Sequence, residues 1–147
     1  MKHLLLHPEQ VVDFWSVLRK YVDRALEHGR ESTSYNLLQQ ILNNQAQCWI
    51  IQDDDGELLN VTITELVDYP NYKALRIIIT AGDEWDCYKE FHSALEDYAL
   101  ENSCKTVQFW GRPGWQRYIK KLTGSRGETY EMDYVVMSMV LKENDDE

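Results

Sequence analysis

The chain is short of cysteine, and the three it has are widely spaced. Cys48, Cys87 and Cys104 form no CxxC pair, so neither a zinc knuckle nor a disulfide framework is indicated, and reduced thiols in a reducing compartment are expected. Each reads as a small buried apolar residue rather than a nucleophile. Long hydrophobic runs are also missing. The apolar stretch Leu4-Leu5-Leu6 near the start is far too short for a signal peptide or a membrane span. A soluble cytoplasmic protein without membrane attachment is expected. Positive charge is scarce: 15 Lys and Arg stand against 25 Asp and Glu, for a net charge of −10. General affinity for nucleic acid or an anionic membrane needs the opposite balance. His3, His7 and His28 lack the spacing of metal ligands, so no metal site is expected. There is no P-loop, no Rossmann fingerprint, no locally supported Ser-His-Asp arrangement and no internal repeat.

What is present is a globule. The 147 residues are 44% hydrophobic and 12% aromatic, enough for one domain with one core. We expect that domain over 1–142. The acidic tail 143–147 is expected to fray in solvent. Against the overall charge stands one positive island: Arg112, Arg117, Lys120, Lys121 and Arg126 fall in a stretch with no Asp or Glu. Such an island points to an anion, or to a solvated helix face.

Periodicity gives the elements. Lys2 to Leu6 reads as a short strand ended by Pro8, and Pro8-Glu9 suits the first turn of a helix. Val11, Trp15, Leu18, Val22 and Leu26 make one apolar helical stripe, with Gly29 as its stop. A second helix fits Ser32 to Asn44, capped by Ser32 or Thr33. The period then changes. Gln47 to Ile51 is strand-like, Asp53-Asp54-Asp55-Gly56 is a hairpin turn, and Leu58 to Val67 is the second arm. After the turn Tyr69-Pro70-Asn71, the unbroken apolar run Ala74 to Thr80 suggests a central strand covered on both faces. A third helix is expected from about Glu84 to Glu101, with His92 packed on its apolar side. Lys105 to Trp110 is a strand, and Gln116 to Lys121 a basic helix. Tyr130 to Leu141 supplies one or two closing strands. Three strands joined by short turns are antiparallel, and the crossover from Ile79 to Val107 is parallel. The expected fold is α/β (α+β), with a mixed, mostly antiparallel sheet of about 6–7 strands flanked by about four helices.

The strand at 105–110 ends in Gly111-Arg112-Pro113-Gly114-Trp115, followed by Tyr118-Ile119-Lys120-Lys121. Two glycines and a proline fix this turn. They leave an arginine and a tryptophan at the carboxyl end of a strand, where open α/β sheets tend to place ligands. This segment resembles a Gly-Arg-Pro-Gly-Trp motif in small GNAT-like proteins, many of them carried by tailed bacteriophages. The preceding half, Asp54-Gly56…Val61-Thr62-Ile63-Thr64-Glu65-Leu66…Tyr69-Pro70…Leu75-Arg76-Ile77, is similar to the same proteins. The element order is that of the GNAT superfamily of acyl-CoA-dependent N-acyltransferases.

The resemblance implies a site. Acetyl-CoA would enter the gap between strands 74–80 and 105–110, beside Ile78, Ile79, Thr80 and Gly82, with Arg112 and Lys120 toward its phosphates. Tyr118 resembles the tyrosine that protonates the leaving thiolate in the family, and Glu65 is a candidate base for the attacking amine. Arg112 and Trp115 would line the substrate pocket. The family's pyrophosphate loop, Gln/Arg-x-x-Gly-x-Gly/Ala, is replaced here by Thr80-Ala81-Gly82-Asp83-Glu84-Trp85-Asp86. Its three acids repel a pyrophosphate. An alternative therefore stands beside the acyltransferase of an unknown amine: a non-catalytic GNAT-like phage protein, either a virion or ejection component or a module that binds a host protein. Each candidate also has a structural reading. Glu65 then faces solvent from a strand, Tyr118 packs on the sheet, Arg112 pairs with an internal acid, and Trp115 caps the core. Nucleic-acid contact through helix 114–122 is the weakest alternative. A homodimer is compatible with the sequence.

Overall fold

The computed structural model describes residues 1–27, 32–82, 88–111 and 116–142. The expectations placed on His28, Gly29, Asp83, Glu84, Asp86, Cys87, Arg112, Trp115 and the tail 143–147 lie outside them. The elements in chain order are β1 (Lys2–Leu6), α1 (Pro8–Asp13), α2 (Trp15–Leu26), α3 (Ser34–Leu42), β2 (Gln47–Gln52), β3 (Leu58–Asp68), β4 (Lys73–Gly82), α4 (Tyr88–Glu101), β5 (Thr106–Phe109) and the single turn α5 (Gln116–Ile119).

Local chemistry accounts for most of the boundaries. His7 caps α1 through Nδ1, which accepts from the Glu9 amide at 3.3 Å. The Gln10 side chain accepts from the His7 amide at 2.8 Å, and Pro8 fills the first turn. The Thr33 hydroxyl accepts from the Asn36 amide and starts α3. Asp53 organises the β2–β3 turn: its carboxylate accepts from the Asp55 and Glu57 amides, both at 2.9 Å. Gly56 there takes φ +83°, open to glycine at little cost.

The expected single stripe at 8–26 is broken. Phe14, at φ −105° and ψ 11°, ends α1 and begins α2. No glycine or proline marks the break. It lets Val11 on α1 and Leu18 and Val22 on α2 enter one core from two helices, a tertiary override of a periodic pattern.

The sheet has five strands in the order β1-β2-β3-β4-β5. The first four are antiparallel, and β5 runs parallel to β4. Mixed order, mostly antiparallel pairing and helices on both faces are as expected. The strand count is lower because 130–142 forms no strand. Among the described residues the β-prone run there pairs with no strand, and propensity alone does not make one.

Two cores lie on opposite faces. Helices α1–α3 cover Leu6, Cys48, Ile50, Val61, Ile63 and Ile79. On the other face α4 and α5 cover Trp49, Ile51, Leu75 and Ile77, with Tyr88, Phe91, Leu95, Ile119 and Leu122. β4 feeds both, as its unbroken apolar run suggests. Leu75, Ile77 and Ile79 all have odd numbers, yet Ile79 joins the opposite core. The cause is a bulge: Thr64 pairs with Ile77 and Ile63 with Ile79, leaving Ile78 as an extra residue.

Candidate active site

β4 and β5 pair only from Ala74↔Thr106 to Ile77↔Phe109. A last bond runs from the Trp110 amide to the Ile77 carbonyl at 3.2 Å. Beyond it β4 continues to Gly82 against β3 alone. Pairing between the two parallel strands therefore stops just before Ile78, the bulged residue, where β5 itself ends at Phe109. The bulge and the end of the β5 pairing coincide at mid-sheet, so residues 78–82 of β4 extend past β5. Gly82 fits here because a Cβ would collide with the Leu59 carbonyl oxygen and Asn60 on β3.

On the α1–α3 face, beside this split, lies a polar network. Arg76 donates to Glu65 Oε1 at 2.8 Å and to the Tyr69 hydroxyl at 2.8 Å. Tyr69 in turn donates to Gln108 Oε1 at 3.0 Å. The Arg76 guanidinium carbon sits 3.8 Å from the centre of the Trp110 ring. Glu65 and Arg76 face each other across β3 and β4, both side chains largely buried. Arg76 Nε is buried without a hydrogen-bond partner among the described residues.

The α4 face carries a second polar group. Asn60 donates to the Thr80 hydroxyl at 3.0 Å, Thr62 donates to Asn60 Oδ1 at 2.7 Å, and the Thr62 and Thr80 hydroxyls are 2.9 Å apart. Burial pushes the neighbouring Tyr88 hydroxyl well above its ordinary pKa, an effect that Thr80 and Thr62 partly offset.

The sequence-derived candidates divide as follows. Ile78, Ile79, Thr80 and Gly82 lie on the stretch of β4 that continues past the end of β5. Glu65 is not a solvent-facing strand residue but half of the Arg76 pair. Tyr118 and Lys120 are exposed on and just after α5, whose Ile119 and nearby Leu122 anchor it to the α4-side core. Glu65 and Tyr118 thus belong to opposite faces of the sheet. His92 is a packed core residue, as expected, and Cys48 and Cys104 are buried. Burial pushes the Cys48 thiol up to about 12.

Sequence reasoning missed Arg76, Trp110 and Tyr69. It also missed the partners of His92: Glu96 Oε2 lies 3.0 Å from Nδ1 and the Tyr130 hydroxyl 2.6 Å from Nε2. A carboxylate can only accept, so Nδ1 donates to Glu96, and in the neutral ring Nε2 then accepts from Tyr130. Glu96 stands four residues after His92 on one helix face, a signal that was readable. Tyr130 gave none. Among the described residues, no three His, Cys, Asp or Glu side chains gather as a metal site requires, and no helix is long and apolar enough to cross a membrane.

Compared as a sequence, the chain matches no family model and no curated protein. Solved structures do match. A ribosomal-protein-alanine N-acetyltransferase from Brucella melitensis biovar Abortus 2308 superposes with a TM-score of 0.62 at 15% identity, over 91% of this chain and 100% of that one. An aminoglycoside acetyltransferase from an uncultured soil metagenomic sample, solved with sisomicin, gives 0.68 at 15% identity, over 96% of each chain. A Trypanosoma brucei acetyltransferase gives 0.60 at 10% identity, over 94% of this chain and 99% of that one. At such identities the likeness concerns architecture, and the chain has the fold of the GNAT acetyltransferases.

Proposed function

We propose that the protein is an acyl-CoA-dependent N-acyltransferase that moves an acetyl group from acetyl-CoA to an amine. One observation carries the reading: the β4 bulge at Ile78 falls where pairing with β5 stops, in mid-sheet. Among the described residues, the side of 78–82 away from β3 has no strand partner, which suits an extended amide-bearing arm such as pantetheine. Ile78, Ile79, Thr80 and Gly82 would line that arm, with Arg112 and Lys120 toward the phosphates. Acetyl-CoA, when bound, supplies an activated acyl thioester.

The chain's own residues do the rest. Glu65 Oε1 is held by Arg76, so Glu65 Oε2 is the oxygen offered to an incoming amine, as hydrogen-bond acceptor or base. Tyr118, exposed on α5, is the proposed acid for the departing thiolate, which it would approach from the sheet face opposite Glu65. Trp115 and Arg112 are proposed to shape the acceptor pocket. An amine acceptor agrees with the structural neighbour solved with sisomicin.

A second reading is favoured by Asp83, Glu84 and Asp86, which follow β4 in the sequence. These acids repel a pyrophosphate, which favours a non-catalytic protein that binds a partner, such as a phage virion or ejection component or a ligand of a host protein. Calorimetric titration with acetyl-CoA and CoA separates the two. Micromolar binding that weakens in Arg112→Ala or Lys120→Ala supports the enzyme. Release of thiol from acetyl-CoA in the presence of candidate amines should then fall about 100-fold in Tyr118→Phe. Absence of binding at millimolar ligand replaces the enzyme with the partner-binding protein.

A further inference from the structure

Trp110 is 52% exposed, although tryptophan is highly buried on average. It is nonetheless held by backbone and ring alike. Its amide donates to the Ile77 carbonyl at 3.2 Å. One face of its ring lies against the Arg76 guanidinium, whose carbon is 3.8 Å from the ring centre. That guanidinium is itself fixed, donating to Glu65 and to the Tyr69 hydroxyl, both at 2.8 Å. Tyr69 is fixed in turn: it donates to Gln108 at 3.0 Å, and its ring centre lies 5.2 Å from that of Tyr72. An exposed indole held this firmly has little freedom left to lose when a ligand stacks on it, so it is a preorganised platform. A tryptophan that only capped the core would be buried.

The surroundings of the ring select what stacks on it. The Glu65–Arg76 pair beside it is neutral overall. A cation on the open face would lie about 7 Å from the guanidinium, the 3.8 Å already present plus roughly 3.5 Å of contact distance, and the two like charges would repel. The open face therefore suits a neutral ring, whether an aryl group or the C–H face of a pyranose. Reacting groups are close by. Glu65 Oε1 is taken by Arg76 and Gln108 Oε1 by Tyr69, which leaves Glu65 Oε2 as an acceptor and Gln108 Nε2 as a donor. Trp110 also follows the end of β5, where pairing with β4 stops. The carboxylate meets the guanidinium at an N–H and the indole meets it through its ring face, so an amine that reaches Glu65 from a group stacked on Trp110 needs a short arm.

We infer that the open face of Trp110 stacks the neutral ring of the acceptor, an amine carried on a short arm of an aryl or pyranose ring, and so selects ring-bearing amines over linear ones. The inference rests on the acyltransferase reading above and adds a specificity-determining residue to it.

The stack can be read without acetyl-CoA from the indole N–H resonances, that of Trp110 being assigned by its loss in Trp110→Phe. Millimolar phenethylamine or 6-amino-6-deoxyglucose should shift the Trp110 signal, and butylamine should leave it in place. Whichever ring amine acts identifies the source of the ring. Trp49 is the internal control, because its buried Nε1 donates to Thr64 at 3.0 Å. In acetyl transfer, Trp110→Ala should raise KM for that ring amine about 10-fold with kcat held, the loss expected of one aromatic stack. KM for butylamine should not change, and Trp110→Phe should recover most of the loss. No shift with either ring amine, or equal shifts with all three amines, would overturn the inference. A ring-selective shift with no acetyl transfer would uphold the platform and remove the acyltransferase reading instead.

Discussion

Arg76 stacks on Trp110, its guanidinium carbon 3.8 Å from the ring centre, while Glu65 holds the same group from the neighbouring strand at 2.8 Å. Three strands meet in this contact: β3 gives Glu65, β4 gives Arg76, and Trp110 follows β5. The planar guanidinium serves a carboxylate, a phenol and an aromatic face together, which an ammonium cannot do. Arg76→Ala should destabilise the protein by about 2 kcal/mol, because it leaves a largely buried carboxylate uncompensated. Arg76→Lys should cost about 1 kcal/mol. Urea unfolding measures both. Equal losses in the two variants would mean that the stacking and fork geometry contribute nothing.

The Tyr130 hydroxyl closes a second contact, 2.6 Å from His92 Nε2. The same α4 region holds the turn at 124–127, where Glu96 Oε1 accepts from the Ser125 amide at 2.9 Å. Tyr130→Phe keeps the ring and removes the donor, leaving a buried nitrogen unsatisfied at about 1–3 kcal/mol. Amide exchange should accelerate at 124–130 before it changes in β2–β4. Unchanged exchange there would show that the ring packing, and not the hydroxyl, holds this part of the chain.

Alkaline pH should weaken the fold early. Burial raises Cys48 from 9.0 to about 12 and also raises Cys104, Tyr88 and Tyr130. Above pH 9 the unfolded chain ionises thiols that the folded chain keeps neutral. The stability they contribute is complete below that pH and is lost as pH rises toward the folded values. The slope is at most about 1.4 kcal/mol per pH unit for each group. Thermal melts between pH 8 and 10 should show the fall, and Cys48→Val should reduce it, Cys104 supplying the remainder. An identical slope in that variant would remove Cys48 from the account.

The meander β2–β3–β4 was legible because two turns and three apolar runs state it locally: Asp53 to Gly56, then Tyr69 to Asn71. The parallel β5 followed from the length of the crossover through α4. The bulge was not legible. Leu75, Ile77 and Ile79 read as one face, and only pairing with β3 shows the extra residue. Missing the bulge also hid the Glu65–Arg76 pair, since their register depends on where the bulge falls. The Phe14 break is set by packing against a distant core. The strand expected at 130–141 shows the converse error, a β-prone run that the described chain leaves unpaired. For the candidate site, the stretch 78–82 was named through family resemblance. The Arg76 network could be found only from the fold.

The extra residue in β4 separates what the architecture needs from what it carries. Without Ile78, Ile77 would still oppose Thr64 and Ile79 would still oppose Ile63, so each side chain would keep its core and the ladder to β3 would run unbroken. A chain one residue shorter is thus compatible with the same sheet and the same two cores. The extra residue adds only the partial burial of Ile78 on the α1–α3 core, so its deletion should cost that contact while leaving the register on either side intact.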